Sequence, residues 1–404
     1  MEIKDNAELK RSLNLWEVVL TGVGIIFGAG IYALIGVMTG IAGNGVWLSV
    51  IIGGIISIFT GLSYAFLSMR FSSNSSEYIY ISKTFKNETI ALLSAYLMII
   101  SGIISASLVA IGFGMYLSSF LNLNPIIGAF FLIIICTLIL LMGIKESAFG
   151  VIIGTLIEVV GLIIIIIFGI PYIENINFEI SDISKIFSAG IISVFAFLGF
   201  EYITRLSEET RNPEKNIPKG IIISILIALV VYLLVTISSV SILGVENLSK
   251  SNAPLADVAN KVLGKDGFFI LLFIGLFATG NTVLGILLAT SRQIHGMSKM
   301  QAFIYSKFFI KISSRSVPTN AIIFSSLFSI IFLFISNLKI LADLTVLPII
   351  FVFILVNIAA IIQNFKNKKE NMQKINKFYL ISSLLGLVFC LILFINEILF
   401  LFEI

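Results

Sequence analysis

Three glutamates stand out inside long apolar runs, where an ionisable group is costly and marks a functional candidate by default. They are Glu17 in "LNLWEVVL", Glu158 in "GTLIEVVGLIIIIIFG" and Glu201 in "FLGFEYITR". Glu17 lies at the start of its run, within reach of water, and the sequence gives it a structural role. Glu158 is surrounded by apolar residues. Burial disfavours the charged form of a carboxylate, so Glu158 is a candidate to take up and release a proton. Pairing with a cation or a substrate amine is an alternative, and so is a hydrogen bond that holds two helices together. Glu201 follows Gly199 by two residues and reads as a substrate neighbour or a second proton-coupling group.

The other chemistry-bearing residues exclude whole classes of function. His295 is the single histidine, and it lies in a polar connector. Aspartate is absent from the interiors of the apolar runs. Cys136 and Cys390 sit far apart in apolar surroundings, without metal or redox spacing. There is no nucleophile–base pair, no Walker A sequence, and no filter loop or charge ring of a channel. The sequence therefore predicts no enzyme, no cofactor, no metal site and no nucleic-acid partner. A non-transporting sensor stays open as a distant alternative.

The elements that must position these carboxylates are membrane helices. Of the 404 residues, 58% are hydrophobic and 12% are charged, about half the charged fraction of a soluble domain. Eleven runs meet the length of about 20 apolar residues that a span requires: 14–38, 41–69, 91–120, 125–142, 150–170, 187–207, 219–243, 267–297, 320–337, 342–362 and 378–402. With the N-terminus placed in the cytoplasm, 21 Lys and Arg fall inside and 5 outside, a bias in the positive-inside sense. Eleven spans then put the C-terminus outside the cell. The prediction is a single transmembrane domain, 1–404, in the plasma membrane. The basic cluster "KNKKENMQKINK" reads as a topology signal, with contact to anionic lipid as its alternative.

Two spans look defective. The first carries "GVGIIFGAGIYALIG" (22–36), with five glycines, and the sixth carries "SVFAFLGFEYITRLSEET" (193–210). Each glycine costs about 1 kcal/mol against alanine in a helix. Gly24-x-x-x-Gly28 and Gly36-x-x-x-Gly40 fit small-residue helix packing. Position argues for more. Spans 1–5 and 6–10 form two halves of similar length (14–170 and 187–362), each opening on a suspect helix. Five is odd, so the halves insert with opposite orientation. Interrupted helices at corresponding places in inverted repeats point to a transporter's midplane site. Half-helix N-termini there offer N–H groups to a carboxylate, and half-helix C-termini offer carbonyls to an ammonium.

At these residues the chain resembles the amino acid–polyamine–organocation superfamily, with its LeuT-type fold. Four stretches carry the resemblance: "GVGIIFGAGIY", "LSYAFLSMRFSSNSSEYIYI" (62–81), "AFLGFEYITRLSEETRNPEKNIPKGI" (196–221), and "ATSRQIHGMSKMQAF" with "VPTNAI" (317–322). It implies an all-α fold of 5+5 inverted repeats with discontinuous helices 1 and 6, and an extra helix at 378–402 outside the core. It implies that the amides of Gly28, Ala29, Gly30 and Ile31 receive a substrate carboxylate. The carbonyls of Phe195, Ala196 and Leu198 would receive the amine, with Phe195 as an aromatic gate and Glu201 beside the break. Glu158 stands where several proton-coupled members carry a lysine. The family's Pro and Gly pair after Arg70 is replaced here by "FSSNSSEY". Phe195 and Phe200 favour a neutral substrate. The expectation is a proton-coupled amino acid permease, with cationic amino acids or polyamines as the alternative substrate and sodium as the alternative ion.

Overall fold

A computed structural model describes residues 9, 11–121, 123–175, 182–251, 253–335, 338–369 and 376–402. In chain order the helices are α1 (Leu15–Ala42), α2 (Val46–Ser68), α3 (Ser76–Phe85), α4 (Glu88–Leu121), α5 (Pro125–Met142), α6 (Ile144–Gly169), α7 (Ile183–Ala196), α8 (Pro213–Leu243), α9 (Val245–Lys250), α10 (Pro254–Lys299), α11 (Ser306–Phe309), α12 (Thr319–Phe332), α13 (Leu338–Lys369) and α14 (Lys377–Phe402). A 3₁₀ segment, Phe200–Glu209, joins α7 to α8. The chain is an all-α membrane protein. Among the described residues ten helices are long and apolar enough to cross a membrane. The predicted span 320–337 corresponds to the shorter apolar helix α12, and residues 336–337 lie outside the described set.

The layout follows from what each helix must bury. α1 is the centre: it packs on α6, α7, α8 and α10, and Phe27, Ile31, Tyr32 and Ile35 are at most 1% exposed. α5 and α6 instead turn Phe131, Leu138, Leu156 and Val160 outward, as lipid permits. Asn14 starts α1 with a capping box: its side chain accepts from the Trp16 and Glu17 amides, and Glu17 Oε2 accepts from the Asn14 amide at 2.7 Å. Glu17 therefore has the structural role its position suggests. α14 is held on α2 and α13 by a buried polar knot, in which Ser63 Oγ lies 2.7 Å from Asn357 Oδ1 and 2.8 Å from Ser383 Oγ.

Candidate functional site

The sixth span breaks where the sequence places it. Helical bonding in α7 ends with Phe197 N donating to Val194 O and Leu198 N to Phe195 O. Gly199 then takes φ +127°, a region that an L side chain resists. Its amide donates not to a carbonyl but to Glu201 Oε2, 2.9 Å away. Glu201 thus satisfies the backbone donor that its own break exposes. The side chain is fully buried, and its second oxygen, Oε1, has no partner among the described residues. A 3₁₀ run of this length is itself unusual.

The first span does not break. α1 runs as a continuous helix from Leu15 to Ala42, so the expected discontinuity at 27–32 is corrected. Its glycines serve close packing instead. A Cβ at Gly24 would collide with the Thr155 hydroxyl, and one at Gly28 with the Thr282 hydroxyl. A Cβ at Gly30 would lie 2.6 Å from the Ala196 carbonyl oxygen. With α7 and α10 this near, no space for a ligand separates the helices, and the backbone groups of 27–31 are satisfied within the helix, as burial requires. The amides of Gly28 to Ile31 are ladder donors here.

Tyr232 on α8 ties the two elements together. Its hydroxyl lies 2.7 Å from the Ile26 carbonyl and 3.1 Å from the Ala196 carbonyl, and its ring packs on Phe27 and Phe197 at 5.5 and 5.1 Å. Ala196 O, assigned to a substrate amine by resemblance, is thus bonded to a phenol. Phe195 and Leu198 line a crevice with Ile56, Thr60, Phe353 and Cys390, between α2, α13 and α14. Phe200 packs on Tyr64 and Phe353 at 5.8 and 5.5 Å. Sequence reasoning missed Tyr232; its signal was one phenol in the aliphatic run "ALVVYLLV".

Glu158 of α6 is fully buried beside α1 and α10. Its Oε1 accepts from Asn281 Nδ2 at 2.8 Å, and the same amide lies 3.2 Å from Thr155 Oγ1. Thr155 Oγ1 stands 3.1 Å from the Leu20 carbonyl of α1. Among the described residues Glu158 Oε2 and Asn281 Oδ1 have no partner. This cluster is short of donors: a proton on Glu158, or a cation, supplies what it lacks. Asn281 was the second residue that sequence reasoning missed, a single amide in "LFATGNTVLG".

The family model described as amino acid permease matches residues 13–402. The chain belongs to the amino acid permease family. It is a membrane transporter, not an enzyme, of the amino acid–polyamine–organocation superfamily. An uncharacterized protein of Methanocaldococcus jannaschii is 28% identical over 92% of this chain and 86% of its own. The branched-chain amino acid permease of Bacillus subtilis is 29% identical over 57% of this chain and 54% of its own. Cationic amino acid transporter 1 of Arabidopsis thaliana is 24% identical over 90% of this chain and 64% of its own.

Two buried ion pairs tie helices together at one end of this permease. Glu77 Oε1 lies 3.4 Å from Arg205 Nη2, both side chains fully buried. Ser76 Oγ and Gln293 Nε2 bond Glu77 Oε2 at 2.8 and 3.2 Å, and the Arg205 guanidinium stacks 4.4 Å over Tyr202. The "FSSNSSEY" departure from the family pattern therefore supplies one half of an ion pair. A second buried pair joins Arg292 to Glu209 at 3.2 Å. The Glu209 carbonyl accepts the Ser12 and Leu13 amides, which fixes the start of α1 to the same layer.

Proposed function

We propose that this permease is a secondary active transporter that carries neutral amino acids across the plasma membrane by alternating access, coupled to protons. The reading takes the N-terminus as cytoplasmic, the C-terminus as extracellular, and 14–170 and 187–362 as inverted repeats of one domain. The observation that carries it is the break at Gly199, capped by a buried glutamate and set against α1 at Gly30. Substrate contacts are assigned to Gly28, Ala29, Gly30 and Ile31 on α1 and to Phe195, Ala196, Leu198, Phe200 and Glu201 around the break. Glu201 Oε1, an acceptor without a partner, suits the substrate ammonium. The apolar residues around it suit an aliphatic side chain. Because Gly30 touches Ala196, loading requires α1 and α7 to separate, and the 3₁₀ segment after Gly199 is the hinge for it.

Glu158 is assigned the coupling proton, with Glu201 as a second protonation site. The unpartnered Glu158 Oε2 also supports a second reading, a cationic substrate or a sodium ion at that carboxylate. Relatives carry names as different as branched-chain amino acid permease and cationic amino acid transporter, so the choice rests on the side chains of the break. The test is uptake into proteoliposomes of branched-chain amino acids, lysine, arginine and putrescine, under an inward pH gradient or a sodium gradient. Accumulation of a neutral amino acid driven by pH supports the proposal. Accumulation driven by sodium alone removes the proton, and binding without accumulation removes transport.

A further inference from the structure

The connection between α10 and α12 is built as an amphipathic surface. Phe303 and Phe309 point inward: Phe303 stacks on Tyr96 at 5.2 Å, and Phe309 meets Phe303 and Phe324 edge-on at 5.2 and 5.1 Å. The backbone is pinned as well. The Ile304 amide donates to Tyr96 Oη at 3.0 Å, Asn320 Nδ2 to the Phe308 carbonyl at 2.7 Å, and His295 Nδ1 to the Phe309 carbonyl at 3.2 Å. The intervening side chains point outward: Ile304 is 63% exposed, Tyr305 81% and Phe308 54%. These are large apolar groups held in the open by a well-bonded loop.

Lys307, Lys311 and Arg315 are exposed on the same segment, and residues 300–318 contain no Asp or Glu. Among the described residues Lys307, Lys311 and Arg315 have no ion pair, and the Arg315 guanidinium donates to the Leu141 carbonyl at the end of α5. The segment follows the end of the membrane-spanning helix α10 and leads into the apolar helix α12, which places it at the bilayer surface. Trp16, 64% exposed at the start of α1, belongs to the same end, because α1 and α10 both meet Glu209 there. A topology signal needs only the charge. It does not need Ile304, Tyr305 and Phe308 fixed beside it.

We propose that residues 304–315 form a docking surface for anionic phospholipid: the apolar side chains enter the interfacial region while the three cations hold the headgroups. Interfacial aromatics and juxtamembrane basic residues bind a bilayer in this complementary way. The occupant is the adjoining leaflet, selected by its negative charge.

Both native cysteines are buried, so the variant Ile304→Cys can carry one polarity-sensitive fluorophore on the full-length protein. It is compared in vesicles of phosphatidylcholine alone and of phosphatidylcholine with phosphatidylglycerol. The expected result is a blue-shifted, quencher-protected probe in the anionic vesicles, a difference that falls with added salt. The triple variant Lys307→Gln, Lys311→Gln, Arg315→Gln is expected to lose it. Equal emission in the two lipids, as contact with neutral lipid or a second copy of the chain would give, overturns the proposal. So does a difference that salt leaves unchanged, a test that needs no charge variant.

Discussion

Gly30 of α1 rests directly on Ala196, the last residue of α7: a Cβ at position 30 would stand 2.6 Å from the Ala196 oxygen and 2.7 Å from its Cα. This contact joins the unbroken helix to the broken one. It decides how close α1 comes to the break at Gly199.

Gly30→Ala therefore meets backbone, which cannot step aside as a side chain can. Overpacking of this kind costs about 1–3 kcal/mol. The expected outcome is a lowered unfolding temperature together with reduced substrate uptake. Gly112→Ala, on α4, is the matched control: nothing lies within 4 Å of a Cβ there, and helix propensity alone favours alanine by about 1 kcal/mol. Equal melting of the two variants would remove the packing role given to Gly30.

Tyr232→Phe takes one hydroxyl from the carbonyls of Ile26 and Ala196 and leaves the ring in place. A buried acceptor that loses its donor costs about 1–3 kcal/mol. The expected signature is a modest stability loss with a larger change in transport rate, since the hydroxyl spans α1 and α7 where the proposed cycle separates them. Uptake kinetics beside a melting curve separate the two effects. A rate that falls only as far as stability does would make Tyr232 a packing residue.

The all-helical membrane fold and the break at Gly199 were legible because both are local: apolar length makes a span, and a glycine followed by a buried acidic residue has few helical uses. The continuity of α1 was not legible. The same glycines permit a break or a close contact, and the choice belongs to Thr155, Thr282 and Ala196, which come from other helices. Tyr232 and Asn281 escaped for a related reason. Tyr232 stands in an aliphatic run and Asn281 between two threonines, and only the bundle shows what each faces. The Glu77–Arg205 pair joins residues 128 apart in the chain, a distance at which sequence pattern carries no information.

Glu158→Gln keeps an acceptor for Asn281 and places an amide donor where Oε2 has no partner. The protein is expected to fold with near-normal stability. If Glu158 carries the coupling proton, the variant exchanges substrate across the membrane but no longer accumulates it under a pH gradient, and its uptake loses pH dependence. Counterflow and gradient-driven uptake in the same vesicles measure both. Undiminished pH-driven accumulation would take the proton away from this residue.

Arg205→Met alone should leave Glu77 charged and buried without its cation, which costs about 3–5 kcal/mol. Arg205→Met with Glu77→Leu removes both charges and should recover most of that loss, because two desolvation costs disappear with the pair. The recovery is read from thermal unfolding of the single and double variants as a double-mutant cycle. Transport should not recover in step. The proposed cycle must open and reclose this end, and an apolar patch without the Glu77–Arg205 bond reseals it less specifically. The double variant should then leak substrate from preloaded vesicles faster than wild type, and a cycle without coupling between the two residues would show that the pair is not a unit.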